Sequence, residues 1–214
     1  MIDTRIIISH KYKWVWIPQA KVASSTFIKF LSGVPWGLVE AGNDNGVEIF
    51  RHRSRERWEE YINTHNDYFK FSCVRNPWSR LVSFYFCRGT RSHPAALRFR
   101  SDFGIEPNIP FNEFVKLILT KGITHGQDYH YEPQYNALYN SNDELLVDYV
   151  GRFENLQEDI DTICDKIGIP QQQLPHKNKT THKHYTEYYD DETRKIVAEK
   201  YAKDIEYFGY KFDE

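Results

Sequence analysis

Residues 21 to 26 read Lys-Val-Ala-Ser-Ser-Thr and come shortly after the apolar run Trp14 to Ile17. A lysine beside small and hydroxyl-bearing residues, set between a strand and a helix start, suits an anion. Successive backbone N–H groups and the positive end of the helix can face the charge, and small side chains let it come close. Lys21 supplies a cation, while Ser24, Ser25 and Thr26 add hydroxyls. Ala20, Ala23, Ser24 and Ser25 allow that approach without the glycines of GxxxxGK[ST]. The same hexamer also reads as a plain strand-to-helix connection with a serine cap and a solvated lysine.

A second stretch, VRNPWSRLVSFY over residues 74–85, places Arg75 at the carboxyl end of an expected strand and Ser83 two turns into the next helix. A guanidinium and a hydroxyl so placed suit a second phosphate. The competing reading is a buried arginine and a serine packed within a helix.

Apolar runs at 14–17, 68–74 and 147–153 predict strands, each leading into a helix start. Asn76 and Pro77 carry cap and first-turn signals for a helix over 78–86. Asn155 and Glu158 have capping-box spacing for a helix ending near Ile167, before Gly168 and Pro170. Further helices are expected over 111–119 and 191–207, and long loops, suited to lids, over 88–110 and 174–185. Strand alternating with helix predicts an α/β, P-loop-like fold: a mostly parallel sheet flanked by helices, in a single domain over 1–214, with ligands at the carboxyl ends of the strands.

The 214 residues carry 28 Lys and Arg against 30 Asp and Glu. A net charge of −2 argues against a nucleic-acid or acidic-membrane binder, so anion binding must be local. Cys73, Cys87 and Cys164 fit neither a disulfide framework nor zinc-ligand spacing, which points to a reducing compartment. The apolar patch at Ile6 to Ile8 is too short for a signal peptide or a transmembrane segment, so a cytoplasmic location is expected.

KVASST together with FSCVRNPWSRLVSFY resembles the paired signatures of the sulfotransferases that use 3′-phosphoadenosine 5′-phosphosulfate (PAPS), in particular the carbohydrate sulfotransferase branch. HYEPQ (130–134), YVGRFENLQEDI (149–160), LPHKNK (174–179) and DIEYFGY (204–210) resemble later family segments in the same order. One departure is Ala20, where the family commonly has proline directly before the lysine. The resemblance implies that Lys21, Val22, Ala23, Ser24, Ser25 and Thr26 receive the 5′-phosphosulfate, and that Arg75 with Ser83 receives the 3′-phosphate. It implies PAPS as co-substrate and no metal.

Sulfuryl transfer asks the protein for positioning and electrostatic stabilisation. Lys21 suits the charge growing on the bridging oxygen. A base must take the acceptor's proton, and imidazole is the natural choice near neutral pH. His52 lies about where the carbohydrate branch has its catalytic histidine; His65, His125 and His130 are the alternatives. Lys177 and Lys179 are expected to fold over the nucleotide phosphates. The arginines at 51, 53, 55 and 57, and at 88, 91, 98 and 100, either line a site for an acidic carbohydrate acceptor or form solvated faces. A nucleotide-dependent kinase and a non-catalytic nucleotide- or glycan-binding module remain open at this stage.

Overall fold

A computed structural model of the chain describes residues 4–32, 47–52, 55–120, 129–174 and 183–213. The chain forms two compact units: Met1–Val74 with Gln127–Lys179, and Arg75–Gly126 with Thr180–Glu214.

The first unit holds the sheet. Its strands are β1 (Thr4–Ser9), β2 (Trp14–Ile17), β3 (Val47–His52), β4 (Phe69–Val74) and β5 (Tyr149–Arg152), in the order β3-β1-β2-β4-β5. β1 pairs antiparallel with both β2 and β3, whereas β2, β4 and β5 are parallel neighbours. Four of the five strands therefore run the same way, with β1 alone opposed, which is the mostly parallel α/β arrangement expected. β1 and β3 were not among the expected strands.

All four residues of β2 are buried, as a strand covered on both faces requires. Helices α1 (Ser24–Ser32), α2 (Arg55–Asn63), α6 (Tyr135–Leu138) and α7 (Leu156–Ile167) complete this unit. Trp16 stacks on Phe27 of α1 at 5.2 Å between ring centroids. Val22, Ile28 and Phe71 join Ile160, Ile163 and Ile167 of α7 in the same core cluster. α7 packs so closely on β5 that a Cβ at Gly151 would sit 3.0 Å from both Asp159 Cβ and Cys73 Sγ. The Asp159 carboxylate accepts the Arg152 N–H and the Tyr149 hydroxyl, each at 2.5 Å. Burial, then this carboxylate, pushes the Tyr149 hydroxyl up to about 12.

The second unit is helical: α3 (Pro77–Phe84), α4 (Pro94–Phe103), α5 (Phe111–Thr120), α8 (Asp191–Lys200) and α9 (Ala202–Phe208). Aromatic rings fill it edge to face, with Phe84 against Phe99 at 5.3 Å and Tyr85 against Phe111 at 5.3 Å.

Several expectations need correction. The helix expected over 78–86 leaves α geometry after Phe84 and continues as a π-helical turn, Tyr85–Gly89, where a Cβ on Gly89 would sit 2.9 Å from the Tyr85 ring. The loop expected over 88–110 contains α4, started by His93, whose Nδ1 accepts the Ala96 N–H at 3.2 Å, and ended by left-handed Gly104. The helix expected over 191–207 is interrupted at Tyr201, whose ψ of 28° belongs to neither flanking helix. Asn155 makes no side-chain cap, because a 3-10 turn (Phe153–Asn155) precedes α7. Among the described residues, no helix is long and apolar enough to cross a membrane.

Candidate functional site

The first candidate site begins where β2 ends. The Ser72 hydroxyl of β4 donates to the Ile17 carbonyl at 2.6 Å, locking the carboxyl ends of two parallel neighbours together. Beyond Ile17 the chain curls, with Lys21 at φ 68° and Ala23 at φ 58°. Left-handed backbone costs an L-residue about 1–2 kcal/mol, so the surroundings must hold it. Three contacts do so. The Ser24 hydroxyl donates to the Gln19 carbonyl at 2.6 Å. The Ala23 carbonyl accepts the N–H groups of Thr26 at 2.8 Å and Phe27 at 3.1 Å. Val22 buries its side chain completely in the core.

Two residues in three with left-handed backbone make a concave turn directly before α1, whose first N–H groups have no acceptor within the helix. Lys21, Ala23, Ser24 and Thr26 are half-buried around it, and Ser25 is exposed. The turn's own bonds narrow the expected donor set. Thr26 offers its hydroxyl rather than its N–H, and Ser24 its N–H rather than its hydroxyl hydrogen. Sequence reading missed Gln19, which is 6% exposed and whose Nε2 has no hydrogen-bond partner among the described residues. Leaving such a donor buried costs about 1–3 kcal/mol.

His52 ends β3 and pairs with Thr4. Since β3 runs in the direction of β2, His52 stands at the sheet edge where β2, β4 and β5 also end. It is two strand spacings from β2, roughly 10 Å. His65 belongs to the opposite edge, beside the start of β4. Its Nδ1 hydrogen-bonds with the Tyr61 carbonyl at 3.0 Å, and its ring packs on Tyr68 at 5.0 Å. The same cluster contains His10, bonded to Glu48 at 3.0 Å, and the Tyr61 hydroxyl, which donates to Glu48 at 2.6 Å. That removes His65 from the candidate bases. His130 lies half-buried in a 3-10 turn, Tyr129–Tyr131. His125, Lys177 and Lys179 lie outside the described residues.

The second candidate site is the start of α3. Asn76 accepts the N–H groups of Trp78 at 3.1 Å and Ser79 at 3.3 Å, and Pro77 occupies the first turn, as the sequence predicts. The Asn76 Nδ2 donates to the Lys211 carbonyl at 2.7 Å, tying this turn to the C-terminal segment. Arg75 donates from Nε at 3.0 Å and from Nη2 at 2.8 Å to the Ser79 hydroxyl oxygen. Ser83 follows one helical turn after Ser79. Arg80 in the same motif is buried under the Tyr201 ring, 5.4 Å from guanidinium carbon to centroid, and is structural.

The arginine clusters divide. Arg100 is buried, and its Nη1 donates to the Arg91 carbonyl at 2.6 Å and to those of Arg88 and Gly89 at 3.3 and 3.4 Å, so it braces the π-helical turn. Arg98 reaches Asp102 across one exposed helical turn at 3.6 Å. Arg91 and Arg57 are exposed. Among the described residues, no cluster of three or more His, Cys, Asp or Glu side chains is arranged to hold a metal ion.

The family description "Sulfotransferase family" matches residues 4–211. An uncharacterized protein of Archaeoglobus fulgidus is 34% identical, over 49% of this chain and 72% of its own. Carbohydrate sulfotransferase 14 of Danio rerio is 26% identical, over 96% of this chain and 62% of its own length. Carbohydrate sulfotransferase 9 of Homo sapiens is also 26% identical, over 94% of this chain and 48% of its own. The chain thus spans between about half and two thirds of the length of these two enzymes. No solved structure matches.

Proposed function

The chain belongs to the sulfotransferase family, and from that premise we propose that it transfers the sulfuryl group of PAPS to a hydroxyl of a carbohydrate, releasing 3′-phosphoadenosine 5′-phosphate (PAP). The observation that carries this reading is the turn after β2. It is strained, braced from three sides, and presents a lysine and a helix start together. Backbone kept in unfavourable regions is typical of ligand-binding turns.

In this reading the N–H groups of Ala23, Ser24 and Ser25, with the hydroxyls of Ser25 and Thr26, hold the 5′-phosphosulfate, and Val22 anchors the turn. Arg75 and Ser83 take the 3′-phosphate. Lys177 and Lys179 close on the phosphates. The acceptor oxygen attacks sulfur, the bond from sulfur to the bridging phosphate oxygen breaks, and Lys21 meets the charge left on that oxygen. His52 takes the hydroxyl proton; its place at the carboxyl edge of the sheet supports this role, since ligands of α/β sheets gather there. The arginine-rich stretches over 51–57 and 88–100 are the reason to include acidic carbohydrates among the acceptors. Similarity to carbohydrate sulfotransferases supports a carbohydrate acceptor. Three free cysteines fit a cytoplasmic site of action.

The test is incubation with sulfur-labelled PAPS and a panel of neutral and acidic oligosaccharides, followed by chromatography. Label should move to a saccharide as PAP appears in equal amount. Transfer to no saccharide, with PAPS intact, would reject the proposal.

A further inference from the structure

Ser79 and Ser83 are spaced four apart on α3 and share one face, and Arg75, just before the N-cap Asn76, reaches Ser79. Both N–H donors on one edge of the Arg75 guanidinium, Nε–H and one of Nη2, meet the single oxygen of Ser79, at 3.0 and 2.8 Å. Ser79 is itself fixed, because it sits in the first turn of α3 with its N–H on the Asn76 side chain at 3.3 Å. A hydroxyl oxygen can accept two hydrogen bonds and still donate its own hydrogen.

Such a partner does two things for a guanidinium that must meet a phosphate. It settles the rotamers of a long side chain before the ligand arrives, so less order is lost on binding. Being neutral, Ser79 does not itself offset the positive charge of Arg75, as a carboxylate in its place would.

We infer that Ser79 is a positioning residue for the 3′-phosphate, holding Arg75 in its binding orientation and so setting the preference for nucleotides that carry that phosphate. This rests on the reading of Arg75 as the 3′-phosphate ligand given above. Ser83 keeps its separate role one turn further on.

The experiment is titration calorimetry with PAP and with adenosine 5′-monophosphate, which lacks the 3′-phosphate, on the wild type and the variants Ser79→Ala, Ser79→Thr and Arg75→Ala. Thermal melts first establish that each variant is folded. Ser79→Ala should weaken PAP about tenfold, the size of one lost charge-assisted contact, and leave the monophosphate within about twofold. Ser79→Thr, which keeps the oxygen, should bind PAP nearly as the wild type does. Equal weakening of both nucleotides in Ser79→Ala would show a merely structural role and overturn the inference. Unchanged PAP binding in Ser79→Ala, with selective loss in Arg75→Ala, would overturn it while leaving the reading of Arg75 intact. Loss of no selectivity in Arg75→Ala would overturn both.

Discussion

Replacing Asn76 should separate two jobs performed by one side chain. Its Oδ1 caps α3 by accepting two N–H groups, and its Nδ2 donates to the Lys211 carbonyl at 2.7 Å and, at a longer 3.4 Å, to the Tyr185 hydroxyl, with the residue 1% exposed. Loss of a cap costs about 1 kcal/mol, and loss of the Lys211 bond about another 1 kcal/mol. Asn76→Ala should therefore lower stability by about 2 kcal/mol. Asn76→Ser keeps a capping oxygen but has no amide to reach Lys211, so it should cost about 1 kcal/mol. Urea unfolding followed by tryptophan fluorescence, with an unchanged slope, measures both. If the serine variant falls as far as the alanine variant, the division of roles is wrong.

Gly151→Ala should destabilise the protein by about 1–3 kcal/mol through overpacking against Cys73 and Asp159, and Cys73→Ala in that background should recover part of the loss in the same urea assay. Hydrogen bonds from Tyr61 first, then from His10, hold the Glu48 carboxyl below its ordinary value of 4.5. The stability this contributes is fully present above the ordinary 4.5 and is lost as pH falls through the lower folded value. Glu48→Gln should therefore flatten the decline in melting temperature below about pH 4.5; an unaltered acid profile would refute this. His52→Ala should lower turnover about 10²–10⁴-fold with little change in PAPS affinity, and Lys21→Ala should lower turnover about 10²–10³-fold, both read from initial rates. A rate within about twofold of wild type in His52→Ala would move the base to another residue.

The two segments that build the candidate sites were legible because several local signals agree in each. Trp14 to Ile17 and Phe71 to Val74 are apolar runs that only a covered strand accommodates, and Asn76-Pro77 is a helix start in itself. β1 and β3 were not, since a strand such as Val47–His52, with Glu48, Arg51 and His52 among its apolar residues, gains its identity from pairing with β1. The placement of His52 at the carboxyl edge follows from that register, which no local pattern encodes. α4 carried its signals in Pro94 and Gly104, but the basic residues around them favoured a loop reading. Ser79 was within reach of the four-residue rule for helix neighbours, yet Ser83 drew the assignment. Gln19 was out of reach, because its burial with no Nε2 partner among the described residues is a property of the folded turn alone.

The central claim is that the turn at Lys21 and the helix start at Arg75 serve one nucleotide with phosphates at two ends. Titration calorimetry of the wild type, Lys21→Ala and Arg75→Ala with PAPS, set against ATP plus magnesium, tests it most directly. The account predicts binding of PAPS that each substitution weakens by at least about tenfold, and much weaker binding of ATP. Preference for ATP with magnesium, or PAPS binding indifferent to both substitutions, would contradict it.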